Sequence, residues 1–596
     1  MRADASGPNL VTLFFDQVEN LRDKPFLWSK SGGQYWPMSW TQVSRQVSAL
    51  ARALRAEGVK PGDRVVLAAE NRPEWVVADF AIMAAGAITV PAYVTNTSND
   101  HKHVLSDSGA VAAICSTREI AANLLPAAAE IDLPFVVAVE DWKLEDTGQV
   151  KVLPWKALIE QGEDGHDNII EGARAIRLDD VACLIYTSGT GGVPKGVMLT
   201  HRNLLHNVRA AQHLLDEFGL EDEVFLSFLP LSHSYEHLAG HFFPVSIGAQ
   251  IYYAEDLGSL ATNMQEARPT IMTAVPRLYE MLHARITAGV RKEGGTKQQF
   301  FGKALELGLK KLDGEKLGVF ERVQDAAVDS MVRDKVRARF GGRLKALVSG
   351  GAALNPEIGR FFTALGLRLL QGYGQTESAP LISCNRPNSP KIHTVGPPAL
   401  DVDVRIAEDG EILARGDMVM KGYWGREEDT ASVIKDGWLH TGDIGTFDED
   451  GHLMITDRKK DIIVNSGGDN ISPARIEGII AVEPEIHQVM VYGDKKPHLV
   501  ALVVPDPDWL KGWAKDNEKP NDLQQLADDD DLRKALQAVI DKVNPELSVI
   551  ERVRRISVSP TPFTIENEMM TPTMKARRHV VKAAFDDRLE ALYGGR

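Results

Sequence analysis

Between residues 40 and about 275 the chain alternates helical patterns such as TQVSRQVSALARALRAEG with short β-branched runs such as RVVLAA, AAICS, PFVVAV and ACLIYTS. A strand that is followed by a helix before the next strand joins that strand in parallel, and the helices cover the sheet faces. This stretch therefore calls for an α/β domain built on parallel sheet. From 276 to 341 helical patterns take over, and lysine- and arginine-rich segments such as FGKALELGLKKLDGEKLG read as a solvated helical insertion. LKALVSGGAAL and LRLLQGYGQTES then return to strand followed by turn.

From residue 402 the texture changes. In VRIAEDGEILARG and GTFDEDGHLMITD, Asp-Gly pairs stand between apolar runs as hairpin signals, so a small β-rich subdomain is expected over about 400–457. A charged, non-periodic junction at 457–461 leads to ISPARIEGIIAVEP, to a strand pair around VMVYGD and LVALVVPDP, and to the helix DLRKALQAVIDKVN. The boundary is placed near 458–460, dividing a large N-terminal domain, 1–457, from a small α+β domain, 458–596. A chain of 596 residues is too long for one hydrophobic core, so more than one domain is required. The acidic run 528–531 is read as the cap of the helix that follows it.

Charge and cysteine content narrow the partners. With 83 acidic against 67 basic residues the formal charge is −16, which gives no general attraction to nucleic acid. Cys115, Cys183 and Cys384 are odd in number and in no metal-ligand spacing, so buried thiols in a reducing, cytoplasmic setting are expected. The N-terminal MRADASGPNLVTLFFDQVEN has no basic segment followed by an apolar one and does not read as a signal peptide. The apolar stretch 76–94 contains Asp79 and Pro91 and reads as a buried helix running into a strand, not a membrane span. No basic amphipathic anchor stands out, which leaves peripheral contact as the form any membrane association would take. Oligomeric state is not written in the sequence.

The segment LIYTSGTGGVPKGVMLTHRNL places a strand before Thr187, Ser188, Gly189, Thr190, Gly191, Gly192, Val193, Pro194, Lys195 and Gly196, with a helix expected to start near Thr200. Glycines let backbone N–H groups approach an anion, hydroxyls add donors and the lysine adds charge, so the loop suits phosphate. It is not a Walker loop, which would need glycine at Pro194 and serine or threonine at Gly196. Further on, Gln371, Gly372, Tyr373, Gly374, Thr376 and Glu377 bring together an aromatic ring, a hydroxyl and a carboxylate, able to stack a base, bond a phosphate oxygen and hold a hard metal ion. Small residues Gly350, Gly351 and Ala352 follow a strand, and Asp443 closes the run GWLHTGD. Arg458 and Lys460 lie in the junction, and Lys575 follows MTPTM near the C-terminus.

Taken in order, these motifs resemble the signatures of the adenylate-forming superfamily over nearly the whole chain. Within it, Leu229 to His237 (LPLSHSYEH), Ala274 to Tyr279 (AVPRLY) and the segment before Lys575 look most like long-chain fatty-acid–CoA ligases. The resemblance implies a two-step reaction. ATP and Mg²⁺ convert a fatty acid to acyl-AMP and pyrophosphate, and coenzyme A then takes the acyl group and releases AMP. It implies that residues 187–196 grip the pyrophosphate and that Gly350, Gly351 and Ala352 meet the adenine edge. It further implies that Tyr373 packs on adenine, Thr376 contacts the α-phosphate, and Glu377, with Thr190, binds Mg²⁺. Asp443 would accept the ribose hydroxyls, Arg458 would contact ribose or phosphate, and Lys460 would be the hinge of a mobile C-terminal domain. Lys575 would serve adenylation, and Gly467 and Gly468 of NSGGDN would approach coenzyme A after rotation. His233 would border the fatty carboxylate as a positioning group or an acid–base. Gly191 stands where the family usually has a second threonine and removes one hydroxyl from the cradle. Two other readings fit the same motifs: a fatty-acyl-AMP ligase that delivers to an acyl carrier protein, and a non-catalytic acyl- or nucleotide-binding relative.

Overall fold

The computed structural model describes residues 9–142, 150–166, 168–187, 193–467, 469–571 and 576–594. The alternating stretch forms the expected α/β layers, distributed over two sheets of eight strands each. The first sheet runs in spatial order Gly422–Tyr423, Lys195–Thr200, Val181–Thr187, Ile88–Pro91, Arg64–Ala68, Ala112–Cys115, Phe135–Ala138 and Lys151–Pro154. It is parallel from Val181–Thr187 to its far edge. The second runs Ser383–Cys384, Leu369–Tyr373, Ala346–Ser349, Ile271–Ala274, Val224–Ser227, Gln250–Tyr253, Pro25–Ser31 and Gln34–Ser39.

Both faces of the second sheet are apolar, as helix-covered parallel sheet requires. Leu226, Met272, Leu347 and Leu369 join one core cluster, while their neighbours Phe225, Ile271, Ala346 and Leu370 join another, following the two-residue period of a strand. A third and larger cluster joins side chains of both sheets through the helices Leu10–Leu21, Trp40–Ala56, Pro73–Ala84 and His201–Leu215.

The helix Pro73–Ala84 is buried at every position except Glu74, as an all-round apolar helix must be. It leads into the strand Ile88–Pro91, so the stretch 76–94 is interior protein. Among the described residues no helix is long and apolar enough to cross a membrane. Its one interior charge, Asp79, is fully buried, and the Oδ2 atom receives Nε2 of His237 at 3.0 Å and of His241 at 3.1 Å. Burial favours the neutral carboxyl, but the two imidazoles outweigh it and hold Asp79 below the usual carboxylate range. This buried contact ties the helix to the turn His237–Phe242, which follows the site segment 233–236.

The insertion departs from the sequence reading in one respect. Its helices Pro276–Glu293, Gly295–Leu312 and Val319–Val328 are present, but the inward side is packed, not solvated. A Cβ on Gly308 would come within 2.3 Å of the Ala364 carbonyl oxygen, so Gly295–Leu312 lies directly on the helix Pro356–Ala364.

Beyond residue 402 the Asp-Gly pairs turn hairpins as expected. Asp403–Ile406 pairs antiparallel with Glu411–Arg415, and Trp438–Phe447 with Leu453–Arg458. In the C-terminal region Ile486–Tyr492 and Leu499–Pro505 pair antiparallel, and Val553–Val558, hidden in the charged run ERVRRISV, adds a third strand parallel to the second. Asp529 caps the helix Asp530–Val543 by accepting from the amides of Asp531 and Leu532, which confirms the reading of the acidic run. All three cysteines are free and buried.

Candidate active site

Parallel strands deliver their following turns to one end of a sheet, where ligands of open α/β folds collect. Here Ala346–Ser349 and Leu369–Tyr373 are neighbours in register, and the turns after them, with Gly350, Gly351 and Ala352 and with Gly374, Thr376 and Glu377, line one cavity of about 2570 Å³. The glycines are demanded by close approach. A Cβ on Gly350 would sit 2.9 Å from the Tyr235 ring, and one on Gly374 would lie 1.7 Å from the Pro380 carbonyl oxygen. Gln371 is anchored away from any ligand role at its amide nitrogen, which donates to the Ile392 carbonyl.

Three of the sequence candidates meet at one point. The Tyr373 hydroxyl donates to Asp443 Oδ2 at 2.7 Å, and Arg458 Nε lies 3.1 Å from Asp443 Oδ1. Asp443 and Arg458 face each other across the antiparallel pair Trp438–Phe447 and Leu453–Arg458, so the hairpin itself builds the ion pair. Asp443 is 4% exposed while Arg458 is largely open, which presents a held carboxylate beside a reachable guanidinium. Burial, and then the neighbouring Asp443 charge, push the Tyr373 phenol well above its ordinary range, keeping it a donor. Glu411, which the sequence reading passed over, pins the approach to Asp443. It accepts the Gly442 amide at 2.9 Å and lies 3.1 Å from His440 Nδ1 and 3.2 Å from Lys459 Nζ.

A second group forms around Glu377. The Tyr423 hydroxyl donates to Glu377 Oε1 at 2.8 Å, and Lys195 Nζ sits 5.1 Å from the Tyr423 ring centre and 2.9 Å from Asp429. Tyr423 is thus shared between the candidate metal carboxylate and the candidate phosphate lysine. Thr376 is 8% exposed, with Oγ1 3.0 Å from the hydroxyl of Ser234. Tyr423 and Asp429 carry no local signature; only their partners, 46 residues away for Tyr423 and Glu377, mark them.

Lys195 and Gly196, read as the end of the phosphate loop, begin a strand. Val181–Thr187 and Lys195–Thr200 form an antiparallel pair with Thr187 opposite Lys195, so the loop between them closes a hairpin. The helix starts where expected, at His201 with Thr200 as its cap, and the strand Lys195–Thr200 precedes it. Ser188, Gly189, Thr190, Gly191 and Gly192 lie outside the described residues, as do Gly468 and Lys575. Thr571 and Ala576, on either side of Lys575, line the cavity, and Met570 bridges to Ala576. Lys460 is exposed at the cavity edge, whereas Gly467 is not among the cavity residues; its amide donates to Asn465 Oδ1 at 2.9 Å.

His233 lines the cavity and caps the turn Ser234–Glu236, its Nδ1 accepting the Tyr235 amide at 3.2 Å. That bond engages Nδ1 in the cap. Below it, Glu236 is fully buried, receiving the hydroxyl of Ser227 at 2.6 Å and of Thr273 at 2.7 Å. Burial outweighs those two bonds and raises the carboxyl from 4.5 to about 7. The folded state therefore holds this proton where the unfolded chain has lost it, and the contribution of Glu236 to stability is lost as pH rises from about 4.5 to about 7. Glu236→Gln is expected to remove that dependence, with a difference of about 2–3 kcal/mol between the two proteins developing across this interval. Urea unfolding midpoints at pH 5 and pH 8 test it, and parallel pH profiles for wild type and variant refute it.

The cavity also has an apolar side. Leu214 of the helix His201–Leu215, Phe225, Phe243, Ile271 and Leu381 line it and belong to, or pack against, the core cluster on one face of the second sheet. Nucleotide-suited groups and an apolar lining thus share one space.

Comparison with known proteins places these features in company. The sequence profile of AMP-binding enzymes matches residues 14–424, and that of the AMP-binding enzyme C-terminal domain matches residues 460–596. A long-chain-fatty-acid–CoA ligase of Mycobacterium bovis is 34% identical over 594 residues, 98% of this chain and 97% of its own. A peroxisomal long chain acyl-CoA synthetase of Arabidopsis thaliana is 32% identical, over 98% of this chain and 87% of its own. Among solved structures, the adenylation domain of a carboxylate reductase from Mycobacterium chelonae superposes with a TM-score of 0.80 at 22% identity, covering 99% of this chain and 92% of that one.

Proposed function

This chain belongs to the AMP-binding enzymes, and from that premise we propose that it is a long-chain-fatty-acid–CoA ligase, forming acyl-AMP from ATP and a fatty acid and then passing the acyl group to coenzyme A. The observation that carries the reading is the single cavity in which Tyr373, Asp443, Arg458, Thr376 and Glu377 share space with the apolar lining of Leu214, Phe225, Phe243 and Ile271.

The residues divide the work by chemistry. Asp443 accepts hydrogen bonds from the ribose hydroxyls, oriented by Tyr373 and flanked by Arg458. The Thr376 hydroxyl donates to an α-phosphate oxygen, and Lys195 exchanges Asp429 for the pyrophosphate. Glu377 and Thr190 would offer hard oxygen atoms of the kind Mg²⁺ prefers, and the ion, when bound, would supply charge neutralisation on the phosphates. Displacement at phosphorus asks the protein for positioning and charge stabilisation more than for covalent chemistry, and these groups supply both. The acid lies with its chain on the apolar side and its carboxylate near His233. For the second step the region beyond residue 460 rotates, which brings Gly467 and Gly468 toward coenzyme A and withdraws Lys575. Buried free thiols support a reducing, cytoplasmic setting.

A panel of acids from acetate to long-chain fatty acids, read as coenzyme A-dependent AMP release, tests the reading. Each added methylene buried in the cavity is worth about 0.8 kcal/mol, so kcat/KM is expected to climb about fourfold per carbon until the chain fills the space. Preference for acetate or for an aromatic acid refutes the fatty-acid assignment. Acyl-AMP that free coenzyme A fails to consume refutes the ligase step.

A further inference from the structure

One cluster of ligating side chains takes no part in the reaction described above. Among the described residues, Asp79, His237 and His241 are the one group of three or more histidine, cysteine or carboxylate ligands that converge, with ligand atoms all within 4.8 Å of one another. All three side chains are fully buried. His237 and His241 stand four residues apart on the turn His237–Phe242, which is wound as a π-helix, a rare form that is frequent at functional sites. Both meet Asp79 of the helix Pro73–Ala84, while Leu238 and Ala239 between them line the active-site cavity.

Charge and bonding capacity point to a ligand. The ion-pair partners of Asp79 among the described residues are the two imidazoles, with no lysine or arginine against it. A carboxylate is costly to take out of water, so buried charges are paired or coordinate metals. Two neutral imidazoles hydrogen-bonded to Oδ2 leave the charge uncompensated and leave Asp79 Oδ1, also buried, without a partner. Protonating one imidazole compensates the charge but still strands Oδ1. A divalent ion answers both needs: it neutralises the carboxylate, takes a lone pair from each Nε2 and can take Oδ1 as a second carboxylate oxygen. The Nδ1 atoms of both histidines lack partners in every one of these arrangements and do not choose between them.

The spacing suits such an ion. Tetrahedral bonds of about 2.0–2.1 Å set neighbouring ligand atoms about 3.3 Å apart. The Nε2 atoms of His237 and His241 lie 3.0 and 3.1 Å from Asp79 Oδ2, a few tenths of an ångström short of that spacing. Two imidazoles and a carboxylate are a donor set used by zinc and by ferrous iron. The rings of Trp75, Phe80 and Phe242 pack around the imidazoles, so a bound ion would sit in an apolar shell and be captured as the chain folds.

We propose that Asp79, His237 and His241 bind one divalent first-row transition-metal ion, zinc in the first place, as a structural centre that clamps the helix Pro73–Ala84 to a wall of the active-site cavity. None of the three residues is assigned to the reaction, and the proposal does not rest on the fatty-acid reading.

The test is elemental analysis of the full chain, produced without a histidine tag in zinc-supplemented medium and passed through EDTA and gel filtration to strip surface ions. About one equivalent of metal per chain is expected in the wild type. His241→Gln keeps a hydrogen-bond donor towards Oδ2 but offers metals a poor ligand, and is expected to hold less than about a tenth of an equivalent. Two readouts need no variant. Wild type produced with cobalt is expected to show the intense visible bands of four-coordinate Co²⁺. Refolding wild type in chelator is expected to lower its urea midpoint, and zinc to restore it; these decide the matter if His241→Gln yields no folded protein. Wild type that holds less than about a tenth of an equivalent of every first-row metal overturns the proposal and leaves a hydrogen-bonded knot. So does metal that His241→Gln and Asp79→Asn both retain, which places the ion elsewhere, or a wild-type midpoint indifferent to zinc.

Discussion

Lys575→Ala is expected to lower acyl-AMP formation about 10²–10³-fold, the range for removing one charge-stabilising group from a transition state, while supplied acyl-AMP and coenzyme A are still converted to thioester at close to the wild-type rate. The reason is geometric as well as chemical. Thr571 and Ala576 line the same cavity as Thr376, Glu377 and Asp443, and Met570 bridges to Ala576. The proposed role of Lys575 is to neutralise charge on the phosphates during adenylation, a role that ends once pyrophosphate has left. Pyrophosphate release and thioester formation, measured separately on one preparation, check the split. Equal loss of both steps refutes the idea that the region beyond residue 460 takes two positions.

Asp443→Ala is the second large effect. The substitution removes the acceptor shared by Tyr373 at 2.7 Å and Arg458 at 3.1 Å and the acceptor proposed for the ribose, at a position only 4% exposed. Hydrogen bonds to a charged group contribute about 1.5–3 kcal/mol each, so kcat/KM for ATP is expected to fall about 10²–10³-fold. At saturating ATP the KM for the acid should stay within about twofold, because the apolar lining is untouched. Titration calorimetry with AMP separates lost nucleotide binding from lost chemistry, and unchanged AMP affinity excludes the ribose role.

Features set by neighbours along the chain were open to reading from the sequence. The Asp-Gly hairpins, the Asp529 cap and the buried helix running into a strand at 76–94 each depend on residues a few positions apart, and each is found. The alternation of strands and helices likewise required parallel sheet. It did not reveal that the strands divide into two sheets, because strand order depends on which crossovers pack together.

The phosphate loop shows the limit at short range. The strand Val181–Thr187 and the helix start at His201 are as read, yet Lys195–Thr200 pairs back on Val181–Thr187. Six residues of KGVMLT between a turn and a helix cap do not declare their partner. Similarly, the run LSHSYE does not by itself show that His233 caps the turn after it; that is seen in the Tyr235 amide 3.2 Å from Nδ1.

By itself the sequence determined the layered α/β class, the hairpins, the helix ends and the chemical inventory of the site, because those follow from local periodicity, turn chemistry and residue type. Tertiary structure alone decided which groups act together: Tyr373 with Asp443 and Arg458, Tyr423 between Glu377 and Lys195, Ser234 beside Thr376, and His237 and His241 on the buried Asp79. The physical reason is that contact between residues distant in the chain, and exposure itself, are fixed only when helices and sheets have packed.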